Sequence, residues 1–379
     1  MNIQDARKEI DAIDSQLVAL YEKRMQMAGI IGAEKIKLNL PIQDSAREQQ
    51  LINARCALIQ DPELRPGLER VLGELIKVSK RYQRTLLEGD GGYATDFVAD
   101  MVELDALPQG RVGYSGIPGS YAHEAACELF PEVEAEGFNG FEEVFRNIGK
   151  GIDYGILPIE NSSTGGIVEV YDLLRKYGAY IVGEHIVHVE HCLLGVKGSN
   201  VHDVRKVISH REGIMQSREY IAQYHWDTEA LVNTAVAAKQ VADAGDKTVA
   251  AIGSAKNAEL YGLDVLASGI NFNAKNYTRF IVVAARPEYI HGADKISIYL
   301  SLPHVSGSLA SLLDVFSDAG LNLVKIESRP IYKKTWEYYF YIDIQADIKD
   351  AVTVRTLDLA AEHSEYMEIL GAYKAAQRL

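Results

Sequence analysis

The sequence predicts a multidomain chain: an all-α helical segment, then a two-lobed α/β domain, then a small α+β domain of ferredoxin-like order. Three observations predict it. From Ile3 to about Leu38 apolar residues recur at i, i+3, i+4 and i+7, and no proline appears before Pro41. From Arg111 the pattern changes to short β-rich runs separated by Gly/Ser turns and helices. From Lys295 the order is strand, helix, strand, strand, helix, strand. The expected boundaries are 1–87 for the helical segment, 88–110 for a linker, 111–286 for the α/β domain and 295–373 for the tail.

Composition narrows the function classes. A chain of 379 residues with 47% hydrophobic content can bury several cores. A net charge of −14 argues against a nucleic-acid partner, although a local cluster of Arg and Lys can still bind anions. No apolar run is long enough to span a bilayer, and the polar start Met1-Asn2-Ile3-Gln4-Asp5 is not a signal peptide. Three scattered cysteines, Cys56, Cys127 and Cys192, fit a reduced cytoplasmic protein without structural zinc.

The first helix is a rod about 50 Å long. Its apolar residues are Ile10, Ile13, Leu17, Leu20, Tyr21, Met25, Ala28 and Ile31. Shorter helices follow at Ser45 to about Ile59 and Pro66 to about Leu87, neither long enough to cover it. The uncovered apolar stripe implies a partner chain. Arg24 and Lys35 return to within about 20° of one face, whereas Arg7 points about 100° away. Arg7 therefore suits a partner's site better than its own. Asp44 with Glu48, and Ser79 with Gln83, are i, i+4 pairs that project together.

The series Arg7, Arg24, Lys35, Asp44, Glu48, Ser79, Gln83 resembles the all-helical chorismate mutase family over about the first 87 residues. The resemblance implies an intertwined dimer. It also implies roles: Arg7, Arg24 and Ser79 on the two carboxylates of chorismate, Lys35 and Gln83 at the ether oxygen, Asp44 and Glu48 on the ring hydroxyl. The rearrangement to prephenate needs no nucleophile. It needs a held conformer and donors where charge builds.

In the α/β domain, Ser115 to Tyr121 is a turn before a helix, and Tyr154 to Pro158 is a buried strand leading to Ile159 to Gly166 and another helix. Helix starts at Ser120 and at Asn161 to Thr164 would suit carboxylates. The Gly116-x-x-Gly119 spacing is not a dinucleotide fingerprint, so no cofactor is expected. His185, His188 and His191 alternate faces in a strand, so no metal is expected either. A second lobe runs from about Asp203 to Leu266, and the chain returns through Asn276-Tyr277-Thr278-Arg279-Phe280. A cleft between lobes joined by two crossings suits a small ligand.

The runs Gly119-Ser120-Tyr121, Pro158-Ile159-Glu160-Asn161-Ser162 and Thr278-Arg279-Phe280 resemble prephenate dehydratase. The resemblance implies a periplasmic-binding-protein-like fold with prephenate in the cleft. Thr278 would assist departure of the ring hydroxyl, while Arg279, Ser120, Asn161, Ser162 and Thr164 would hold the substrate. The family usually carries Ser-His-Pro-Gln and a later Gln-Cys. This chain has Ser209-His210-Arg211-Glu212-Gly213 and Gln216-Ser217.

In the tail, Gly307-Ser308-Leu309 and Glu327-Ser328-Arg329-Pro330 resemble the ACT regulatory domain of such dehydratases. The implied effector is L-phenylalanine at a subunit interface near both motifs. The leading expectation is a bifunctional enzyme taking chorismate to phenylpyruvate, feedback-inhibited by L-phenylalanine, as a homodimer or higher homo-oligomer. Two alternatives stand: a cleft acting on arogenate, and a non-catalytic amino-acid sensor fused to a mutase.

Overall fold

The structure is a computed structural model and describes residues 2–38, 40, 45–85, 92–107, 109–331 and 336–376. It divides into two compact units, Met1–Gly91 and Gly92–Leu379.

The first unit holds α1 (Ile3–Lys37), α2 (Ser45–Cys56) and α3 (Arg65–Thr85). These follow the apolar periodicity to within about three residues at each end. α3 lies along the C-terminal half of α1, where Arg24 reaches the Leu75 carbonyl oxygen and Gln83 packs on Gly32. A β-carbon at Gly32 would stand 2.9 Å from Gln83 Cγ, so only glycine allows the two helices this close. The N-terminal half of α1 buries nothing: Ile10, Ile13, Leu17 and Leu20 are each more than half exposed.

In the second unit, α4 (Tyr93–Asp100) and β1 (Val102–Leu104) come first. This corrects the linker expected at 88–110. Ala94, Phe97 and Met101 are buried in the core of the C-terminal sheet, and the α4 backbone N–H of Ala94 donates to Asp358 at 2.7 Å. The polar, glycine-rich start of this stretch hides an apolar i, i+3, i+7 face that only the distant sheet completes.

The first lobe contains β2 (Val112–Ser115), α5 (Tyr121–Leu129), β3 (Glu136–Phe138), α6 (Phe141–Asn147), β4 (Tyr154–Asn161), β5 (Gly165–Gly166), α7 (Val168–Tyr177) and β6 (Tyr180–His188). The chain then crosses to the second lobe. That lobe contains β7 (Cys192–Gly195), β8 (Lys206–His210), α8 (Arg211–Gln216), α9 (Arg218–Tyr224), β9 (Asp227–Leu231), α10 (Thr234–Ala244), β10 (Val249–Gly253), α11 (Ala255–Tyr261) and β11 (Asp264–Ala267). It returns as β12 (Tyr277–Ala284), which inserts between β4 and β6. The two sheets have orders β3-β2-β4-β12-β6 and β11-β7-β10-β8-β9, which is the two-lobed architecture the alternation predicts.

β13 (Glu288–Ile290) pairs with β1 and leads into β14 (Lys295–Ser301), α12 (Ser308–Asp318), β15 (Asn322–Pro330), β16 (Tyr338–Gln345), α13 (Ala351–His363) and β17 (Tyr366–Tyr373). Their sheet order is β15-β16-β14-β17, antiparallel throughout. One face is covered by α4, α12 and α13. The other lies directly on the first lobe, where Tyr299, Tyr341, Leu370 and Tyr373 share a core with Ile159, Tyr171 and Ile281. At Gly371 a β-carbon would stand 1.9 Å from the Ile181 carbonyl oxygen, so this sheet and β6 meet backbone to backbone.

Candidate functional site

In the helical unit, Arg24, Ser79 and Gln83 meet along the seam of α1 and α3. Arg24 Nη1 donates to the Leu75 carbonyl oxygen at 2.8 Å and to the Ser79 hydroxyl, which donates onward to Leu75. Burial lowers the pKa of Arg24, with Tyr21 opposing. Gln83 is 7% exposed, and its side-chain oxygen has no hydrogen-bond partner among the described residues. A buried, unpaired amide costs about 1–3 kcal/mol, which packing alone does not explain. Lys35 lies one turn beyond Gly32 on α1 and is half-buried. Glu48 pairs with Lys80 at 3.0 Å. Arg7 is exposed on the uncovered half of α1, where every residue from Arg7 to Lys23 is exposed. Asp44 lies outside the described residues.

In the second unit, the site is built where β4 and β12 end beside each other. Thr278 faces Asn161 in register, and Asn161 Nδ2 donates to Thr278 Oγ1 at 3.0 Å. The Thr278 oxygen is therefore an acceptor here, which leaves its own hydrogen free to be donated. Asn161 Nδ2 also lies 2.8 Å from Asn276 Oδ1, and Asn161 Oδ1 accepts the backbone N–H groups of Ser163 and Thr164.

Three buried residues that the sequence reading did not assign complete the cluster. Asn276 Nδ2 donates to Gln216 Oε1 at 2.9 Å, and His191 Nε2 donates to the same oxygen at 2.9 Å. Tyr121 OH lies 3.3 Å from His191 Nδ1. Gln216 comes from the second lobe, whereas His191 and Asn276 lie on the two crossings, so the chain of hydrogen bonds spans the junction of the lobes. Burial lowers the His191 pKa more than the Gln216 bond raises it, so this imidazole is neutral at neutral pH. His191 and Asn276 were visible as polar residues on the crossings and Gln216 at the Gln216-Ser217 pair of the second lobe, but the sequence cannot show that they converge.

Other expected residues are placed differently. Ser120 caps α5, its Oγ accepting the His123 N–H at 3.3 Å, as the turn predicts. Asn161 to Thr164 is not a helix start. It is a turn from β4 back to β5, and α7 begins only at Val168. Ser162 is exposed, and its hydroxyl accepts the Tyr277 N–H and donates to the Lys275 carbonyl oxygen, tying the turn to the return crossing.

Arg279 is the main correction. Strand alternation sends it to the face opposite Thr278. Its guanidinium contacts Glu160 at 2.8 Å, Glu184 at 2.9 Å and Asp343 at 3.0 Å, so it lies under the C-terminal sheet and not in the cleft.

The two tail motifs also separate. Ser308 and Leu309 line a cavity of about 370 Å³ with Leu302, Val305, Tyr338 and Phe340. Gly307 caps α12 with a φ of 90°, a conformation natural to glycine. Glu327 lies on the β15 face turned to the first lobe, 3.5 Å from where a β-carbon of Gly166 would be. Arg329 shares that face by alternation, and Ser328 takes the opposite one. Within one chain, Glu327 and Leu309 are therefore on different sides of the sheet.

No helix of the described residues is long and apolar enough to cross a membrane. Comparison with known proteins gives two family matches. Residues 6–84 match the model of chorismate mutase type II, and residues 112–288 match that of prephenate dehydratase. A bifunctional chorismate mutase/prephenate dehydratase from Buchnera aphidicola subsp. Schizaphis graminum is 31% identical over 376 residues, covering 97% of this chain and 95% of its own. An arogenate dehydratase/prephenate dehydratase from Arabidopsis thaliana is 37% identical over 276 residues, covering 69% of this chain and 72% of its own. Among solved structures, a prephenate dehydratase from Arthrobacter aurescens in complex with L-Phe superposes with a TM-score of 0.64 at 26% identity, covering 70% of this chain and 90% of that one.

Proposed function

This chain belongs to the bifunctional chorismate mutase/prephenate dehydratase family, and from that premise we propose that it rearranges chorismate to prephenate and then converts prephenate to phenylpyruvate. L-Phenylalanine restrains the second step. The observation that carries the reading is the Asn161–Thr278 pair, set at the lobe junction inside the segment that matches prephenate dehydratase.

Aromatisation drives the dehydration, so the protein has little to do beyond binding and assisting the leaving group. With Asn161 donating to its oxygen, Thr278 directs its hydrogen to the departing ring hydroxyl as carbon dioxide leaves. A threonine hydroxyl does not ionise in this role. The neutral Asn276–Gln216–His191 chain holds Asn161 in place, and Ser120 with the α5 N-terminus is positioned for a substrate carboxylate. Arg279 takes no direct part.

In the helical unit, Arg24 and Ser79 hold a carboxylate of chorismate, Lys35 and Gln83 face the ether oxygen, and Asp44 and Glu48 hold the ring hydroxyl. The exposed stripe Ile10, Ile13, Leu17 and Leu20 supports an intertwined dimer in which the partner subunit's Arg7 completes this site. The C-terminal sheet acts as an ACT regulatory domain. Its cavity at Ser308 and Leu309 receives the effector, and the turned-away Glu327 serves the domain junction. A reduced, cytoplasmic setting fits the three unpaired cysteines.

The test is direct. Purified protein is given chorismate, prephenate or arogenate, with phenylpyruvate read by its absorbance in alkali and phenylalanine by chromatography. Chorismate and prephenate should both yield phenylpyruvate, and added L-phenylalanine should slow the prephenate reaction. Preferred turnover of arogenate would replace the substrate assignment. No turnover of either prephenate or arogenate would leave the cleft and tail as a sensor fused to a mutase.

A further inference from the structure

The face of β12 opposite Thr278 carries a charge network in which each sheet supplies half or more of one sign. Arg279, Glu160 and Glu184 come from the first lobe. Lys295, Lys325 and Asp343 come from β14, β15 and β16 of the C-terminal sheet. Arg279 Nη1 contacts both Glu184 and Asp343, while Nη2 and Nε contact Glu160. Lys325 lies 2.9 Å from Glu160, and Lys295 donates to Glu184. Asp343 is held from the other side by Ser297 at 2.6 Å, and Ser297 by Tyr373 at 2.7 Å. Three cations meet three carboxylates, so the group is neutral as a set and strongly unbalanced if one member is lost.

We propose that Arg279 is a positioning residue that carries the position of the C-terminal sheet, through Asp343, into the Thr278 hydroxyl on the adjacent residue of β12. The proposal rests on the dehydratase reading above. Three features support it. Three strands of the C-terminal sheet each place one charge on the network, so a movement of that sheet redistributes its contacts. Arg279 and Glu160 are register partners one step from Thr278 and Asn161, so the network and the catalytic pair share two strands. The register shifts between Arg279 and Phe280, so the strand is irregular beside the network, where a side-chain displacement can reach the backbone. Closely packed sheets have few intermediate arrangements, which turns small shifts into discrete ones.

The experiment uses the full-length chain with Arg279→Lys, Asp343→Asn and the double variant. kcat and KM for prephenate are measured across phenylalanine concentrations, and thermal unfolding of the second unit, which holds Arg279, Asp343 and Lys325, controls for folding. In each variant we expect kcat to fall at least about fivefold with KM within about twofold, and the phenylalanine midpoint to shift at least about fivefold. The double variant should fall no further than the lower single, because both break one connection. Lys325→Gln, at the outer edge of the network, is the second variant if Asp343→Asn does not fold, and it should shift the midpoint in the same direction. Two results would overturn the proposal. One is Arg279→Lys raising KM with kcat and midpoint unchanged, which would place the guanidinium on substrate. The other is Asp343→Asn, or Lys325→Gln in its stead, matching wild type in kcat and midpoint. Wild type must first turn over prephenate, which separates failure of this coupling from failure of the dehydratase reading.

Discussion

Asn161 and Thr278 stand opposite each other on β4 and β12, and the amide donates to the hydroxyl oxygen at 3.0 Å. That direction decides what Thr278 can do. An acceptor already engaged by a neutral donor keeps its own hydrogen available for a leaving oxygen.

Thr278→Val keeps the shape of the side chain and removes the hydroxyl. Dehydratase turnover should fall at least about a hundredfold, the scale of one lost transition-state donor. Mutase turnover should not change. A loss below about threefold would remove Thr278 from the chemistry.

Asn161→Ala deletes the donor to Thr278 and the acceptor for the Ser163 and Thr164 N–H groups. Stability should drop by about 1–3 kcal/mol, because the buried Thr278 and Asn276 lose their hydrogen bonds. Dehydratase kcat should drop with it. Chemical denaturation beside steady-state kinetics reads both, and retained kcat would show that Thr278 orients without help.

The two units should work apart. A fragment ending near Leu87 should dimerise and convert chorismate, and a chain beginning at Gly92 should convert prephenate. Sedimentation and separate assays check this. A folded, dimeric but inactive short fragment would contradict the roles given to Arg24, Lys35 and Gln83.

Acid should loosen the junction of the first lobe and the C-terminal sheet. Burial alone would raise the Glu160 carboxyl, but Lys325 and Arg279 outweigh it and hold the pKa below its ordinary value. A carboxyl depressed in the folded state stabilises above its unfolded pKa, and this contribution is lost as pH falls through the folded value. Glu160→Gln should therefore melt below wild type at neutral pH, with the gap closing below about pH 4. A gap that persists unchanged in acid would show that the ion pairs add nothing.

Gly371→Ala places a methyl group against the Ile181 carbonyl oxygen, where only 1.9 Å is available. The backbone must move, so a loss of several kcal/mol is expected, on the order of the larger core substitutions. Thermal unfolding of the second unit reads it, and an unshifted melt would mean that this contact is loose in solution.

Local chemistry made much of this protein legible. Helical periodicity located α1 to α3, and alternating β-rich runs with glycine turns located both lobes and the tail, because these patterns reflect which face each element must bury. Spacing on α1 set Arg24 and Lys35 on one face and Arg7 off it, since angular offset needs no knowledge of the partner, whereas the meeting of Arg24 with Ser79 on α3 was implied by the family resemblance. Tertiary structure alone decided the rest. Tyr93 to Leu104 became part of the C-terminal core because its apolar face is completed by residues more than two hundred positions away. Thr278 and Arg279, adjacent in sequence, took opposite faces of β12, and two different layers cover those faces. One met Asn161 at the lobe junction, and the other met Asp343 across a domain contact. A strand's sequence fixes that neighbours diverge, but what each then meets is set by which layers pack on the sheet.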